Sequence, residues 1–73
     1  MNENRIASER IRNNWTQEEL ANKIGISRKT LRGYEKGIYP IPSNLLVKLV
    51  CLFQVSADYL IGLENLNSIN IQK

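Results

Sequence analysis

Seventy-three residues, 42% of them apolar and 23% charged, make one small domain; a chain of that size buries only about 60% of its unfolded surface. With no His and one Cys, a Cys/His zinc site and a disulfide framework are both excluded, and a lone thiol fits a reducing cytoplasm. Net charge is +3, and eight of the ten basic residues lie between Arg5 and Lys36, so the first half is expected to meet a polyanion and the apolar second half to supply a core or partner surface.

The opening MNENRIASER has no apolar h-region, so it is not a signal peptide. No run approaches the ~20 apolar residues of a membrane span. A first helix is expected over about Glu3 to Asn13, ending at Asn13-Asn14, since Asn tolerates helix-ending conformations. Ile6 and Ala7 face its core side, with Ile11 at best on the edge.

The second helix is expected from Gln17 to Ile24. Thr16 caps it, and Glu19, three residues on, completes a capping box. Trp15 and Leu20 have the spacing of a hydrophobic staple. Leu20, Ala21 and Ile24 form the inward face. Gly25 can take the left-handed conformation that stops the helix. Ser27, with Ile26 before it and Leu31 after it, starts a third helix over about Arg28 to Lys36. A helix, a tight glycine turn and a second helix make a helix-turn-helix.

At about 100° per residue, with Arg28 at zero, Arg32 falls near 40°, Lys36 near 80°, Lys29 near 100° and Gly33 near 140°. Leu31 and Tyr34 lie on the opposite side. Such a basic arc is either a solvated face or a nucleic-acid surface. Its place on the second helix of a helix-turn-helix favours nucleic acid, because a major groove admits a helix and guanine offers O6 and N7 to Arg or Lys. Thr30, on the flank, is open between packing, a thymine contact and a phosphate bond.

Residues 37 to 43 (GIYPIPS) are a loop, because two prolines bar a helix; Ser43 or Asn44 is the expected next cap. The fourth helix, about Asn44 to Phe53, is apolar almost all round except at Lys48, as a buried helix would be, and Cys51 within it reads as a small buried hydrophobe. Val55, Ser56 and Leu60 repeat the staple and cap for a fifth helix, Ala57 to Ile61, stopped by Gly62. The tail carries Leu66, Ile69 and Ile71 without a cap or period; a linker, an ordered arm and a dimer strand all remain open.

Gln17, Leu20, Ala21, Ile24, Gly25, Ile26 and Leu31, with Tyr34-Glu35-Lys36-Gly37 and the run Val55 to Leu60, resemble the signature of the Cro/C1-type (Xre) helix-turn-helix family, which includes the lambdoid phage repressors. The resemblance covers about residues 5 to 63. It implies an all-α, five-helix, lambda-repressor-like domain over residues 1–63, with 64–73 as a tail or linker. It also implies a transcriptional regulator of the repressor kind, binding double-stranded DNA as a homodimer on a roughly palindromic operator in a bacterial or phage-encoded, cytoplasmic, nucleoid-associated setting. In the family an arginine at the position of Arg10 pairs with a glutamate at that of Glu35, and Gln at that of Gln17 contacts a phosphate and braces a reading side chain.

By resemblance, Arg28, Lys29, Arg32, Thr30 and Gly33 are the base-reading candidates, although Gly33 has no side chain to read with. Arg10, Thr16, Gln17, Ser27, Lys36 and Tyr39 are the phosphate candidates. Phe53, Val55 and Tyr59 are candidates for a dimer patch, or else complete the monomer core. No cofactor, metal, small-molecule ligand or membrane contact is expected, and no constellation for an enzyme is found. The alternative is a protein-interaction or antitoxin-type module that reuses the fold.

Overall fold

The computed structural model describes residues 4–62, so the tail expected at 64–73, with Leu66, Ile69 and Ile71, and the helix start expected at Glu3 lie outside the described residues. Within them the chain forms five helices and no strand: α1 (Ile6–Arg12), α2 (Gln17–Ile24), α3 (Arg28–Glu35), α4 (Ser43–Phe53) and α5 (Ala57–Ile61). Helix α3 packs on α2 and α1, and α4 packs on α2 and α5.

Local chemistry sets most boundaries. The α1 helix begins at Ile6, because the Asn4 Oδ1 accepts from the Ile6 N–H at 3.1 Å and turns the chain there. Asn14, at φ 62°, ends it in the left-handed region that Asn tolerates. The Thr16–Glu19 capping box forms in both directions, at 3.0 and 2.8 Å. Gly25, at φ 77°, stops α2, and its N–H and that of Ile26 both return to the Ala21 carbonyl. Lys48 then reaches across from α4 to the Ile24 carbonyl at 3.4 Å. Ser27 and Ser56 cap α3 and α5 with side-chain bonds to Thr30 and Tyr59 N–H groups. At α4 the expectation changes: Ser43 is the first helical residue, Pro42 holds the N-cap position, and no side chain caps the end. The fixed φ of proline, −64° here, presets that entry.

The core is Ile6, Leu20, Ala21, Ile24, Leu31, Leu45, Leu49, Phe53 and Leu60. Five of these are fully enclosed (Ile6, Leu20, Leu31, Leu49 and Leu60), each worth roughly 1.5–3 kcal/mol of transfer free energy. Ala21 has no bulk to hold α3 away from α2. Trp15 stacks on Phe53 at 6.0 Å, so the staple before α2 also clamps the end of α4.

Helix α4 departs from its sequence. Only Leu45, Leu49 and Phe53 are buried, on an i, i+4, i+8 stripe; Val47 is 60% exposed and Cys51 is exposed. Cys51 is therefore a surface thiol, not a core residue. In a domain this small one stripe of α4 meets the core, and among the described residues no further layer covers its outer face.

Candidate nucleic-acid interface

The four cations of the basic arc behave as one set. Arg28, Lys29, Arg32 and Lys36 are all exposed. None of their side chains has a hydrogen bond or ion pair with another described residue. Lys36 is the residue on which α3 ends, one place past Glu35. The only acid of this stretch, Glu35, is turned away from them into the domain, so the outward face keeps its positive charge uncompensated.

Glu35 is the centre of a brace. Its Oε2 accepts from Arg10 Nε at 2.7 Å, and its Oε1 accepts from Gln17 Nε2 at 3.0 Å. Arg10 also donates to the Trp15 carbonyl at 2.9 Å. The Arg10 and Glu35 side chains are 15% and 6% exposed, so the pair is shielded from water. Three helices are thereby tied together: α1 through Arg10, α2 through Gln17 and α3 through Glu35. Arg10 makes the pairing with Glu35 that the family resemblance implies, and its guanidinium is committed to this brace beside a fixed, shielded carboxylate. Gln17 is half-buried and keeps one amide proton and its carbonyl oxygen beyond the bond to Glu35.

The other candidates fall at the ends of α2 and α3. Thr16 and Ser27 are exposed caps. The Ser27 hydroxyl donates to Thr30 Oγ1 at 2.9 Å, which holds the half-buried Thr30 side chain on the flank. Gly33 is not an open point of backbone approach. It is buried, with the Tyr39 ring lying over it. Tyr39 itself is 46% exposed and meets Tyr34 edge-on at 5.8 Å.

The dimer candidates divide. Phe53 belongs to the monomer core, 8% exposed and stacked on Trp15, so its place is inside the fold. Val55 and Tyr59 are half-buried. Tyr59 donates to Glu9 Oε2 at 2.7 Å, and Arg5 lies over its ring at 4.5 Å. The bond to Glu9 and the negative charge there raise the Tyr59 pKa above its ordinary value.

Glu9 itself has no counterpart in the sequence reading. It is 3% exposed, held by Tyr59 and by Arg12 at 3.6 Å. One signal was available: Glu9 is i+3 from Ile6, on the buried stripe of α1. Asn4 was also missed; besides accepting from the Ile6 N–H, it donates through Nδ2 to the Tyr34 carbonyl at 2.8 Å, near the end of α3.

This geometry coincides with a family match: the model for helix-turn-helix domains of the Cro/C1 type matches residues 6–60. The chain belongs to the Cro/C1-type helix-turn-helix family. Among the proteins it resembles, an HTH-type transcriptional regulator of Bacillus subtilis, YobD, is 44% identical over 50 residues, 68% of this chain and 45% of that protein. The ImmR regulator of the same organism is 33% identical over 66 residues, 90% of this chain and 52% of ImmR. AnsR, also from Bacillus subtilis, is 38% identical over 65 residues, 88% of this chain and 55% of AnsR. All three carry the name of HTH-type transcriptional regulator. The chain thus spans about half the length of these relatives. No solved structure gives a significant match. Among the described residues, no helix of this Cro/C1-type domain is long and apolar enough to cross a membrane.

Proposed function

We propose that this Cro/C1-type domain binds double-stranded DNA sequence-specifically and regulates transcription as a repressor, acting as a homodimer on a roughly palindromic operator in the cytoplasm. The observation that carries the reading is the uncompensated basic face of α3, with its one acid drawn inward by Arg10 and Gln17. Arg28, Lys29 and Arg32 then read base edges in the major groove, while Lys36, Gln17 and the Thr16 hydroxyl hold phosphates. Two copies, paired through surface that includes Val55 and the exposed Val47 side of α4, would set their α3 helices about 34 Å apart.

Binding of a labelled duplex, followed against salt, tests the electrostatic part. Log affinity should fall linearly with log salt, and Lys36→Ala should reduce that slope by about one phosphate's share. Arg28→Ala should instead relax the preference at one base position of each half-site, by about 1–3 kcal/mol. Equal weakening on every sequence would make Arg28 a phosphate contact. No binding at low salt would refute the reading.

A further inference from the structure

The loop after α3 is folded back along that helix. The Gly37 N–H bonds the Tyr34 carbonyl at 3.1 Å, Gly37 takes φ 75°, and the Ile38 N–H bonds the Gly33 carbonyl at 2.9 Å. This return lays the Tyr39 ring on Gly33. A Cβ at position 33 would stand well inside van der Waals contact of Tyr39 Cδ2 and Cε2, and 3.2 Å from Cζ. The seat therefore exists only because residue 33 has no side chain. Tyr34, edge-on at 79°, sets the ring's orientation.

Position 33 lies about 40° round α3 from Lys29, so a ring above it prolongs the basic arc on that side. Tyr39 is 46% exposed, and its hydroxyl has no hydrogen bond to another described residue. A half-exposed aromatic edge beside a row of unpaired cations has the chemistry of a base contact: apolar side chains in the major groove meet the thymine C5-methyl group. We propose that Tyr39 is a specificity-determining residue of the recognition surface, seated by Gly33, whose ring replaces the missing residue-33 side chain and contacts a thymine methyl. The inference rests on the DNA-binding function proposed above.

The test uses the whole chain, the operator found by selection, and duplexes in which each thymine is replaced singly by uracil, which lacks only the methyl. Wild type should lose affinity about fivefold at one position of each half-site, the low end of what a mismatched pair costs. Tyr39→Ala should bind with no such dependence. Gly33→Ala should do the same, because a Cβ displaces the ring while Ala suits the helix better than Gly. The double variant should be no worse than either single one, and all three should melt as folded domains. Tyr39→Phe should keep the methyl dependence. Four results would overturn the proposal: variants with an unchanged uracil profile, a Tyr39→Ala loss equal on all sequences, a Gly33→Ala protein that reads the methyl as wild type does, or additive losses in the double variant. Failure of wild type to bind any DNA would remove the function above, and this role with it.

Discussion

Removing either half of the Arg10–Glu35 pair should cost a large part of the domain's stability. Glu35→Ala would leave the guanidinium, 15% exposed, with only the Trp15 carbonyl. Arg10→Ala would leave a carboxylate 6% exposed with only Gln17. Breaking a buried pair from one side costs roughly 3–5 kcal/mol; the partial exposure of Arg10 argues for the low end, about 3 kcal/mol. A 73-residue domain has in all about 4–11 kcal/mol. At about 4–8 °C per kcal/mol, Tm should fall by roughly 12–24 °C. Replacing both residues by Met should be milder than either single change, because no unpaired charge then remains. Urea unfolding of wild type, the two Ala variants and the Arg10→Ala/Glu35→Ala double variant closes a double-mutant cycle and gives the coupling energy directly. A value near 2 kcal/mol or above, little changed by salt, supports a shielded brace. A coupling below about 0.5 kcal/mol, the level of exposed pairs, would refute the reasoning.

Three other outcomes follow from local chemistry. The phenol of Tyr59 titrates above its usual range because it donates to Glu9, so this bond's contribution is fully present below about pH 10 and is lost as pH rises through the raised native value; Tyr59→Phe should lower Tm at pH 7 and flatten that alkaline limb, and an unchanged limb would assign it elsewhere. Gly25→Ala should cost about 1–2 kcal/mol from the left-handed backbone alone, since nothing lies within 4 Å of the added Cβ, and Gly25→Asn should cost less in the same urea assay. Cys51 should react with a thiol reagent in the native protein without loss of helical signal, and Cys51→Ser should shift stability by less than about 0.5 kcal/mol; a thiol that reacts only on unfolding would place it back in the core.

Much of the fold was legible because its helix ends are written in short-range chemistry. Thr16 with Glu19, Ser27, Ser56, Gly25 and Gly62 all act over three or four residues, and each sits where its spacing placed it. The basic arc was legible for the same reason, since helical periodicity fixes which side chains share a face. Helix α4 was harder, because a segment apolar on every side gives no phase; the buried stripe could not be told from the side that holds Cys51 and Val47. Contacts across long sequence distances left little trace. Arg10 and Glu35 are 25 residues apart, and only the family resemblance paired them. Nothing local marks Glu9 as the partner of Tyr59, 50 residues away, or Gly33 as the seat of Tyr39.

The central claim is that an uncompensated basic helix, braced from behind, reads DNA as one half of a symmetric pair. Selection of bound duplexes from a random pool tests it most directly. The expected outcome is an enriched inverted repeat whose half-site centres lie one helical turn apart, bound with a steep linear fall of log affinity against log salt. A pool that yields no enriched sequence, or a chain that retains no duplex at low salt, would contradict it.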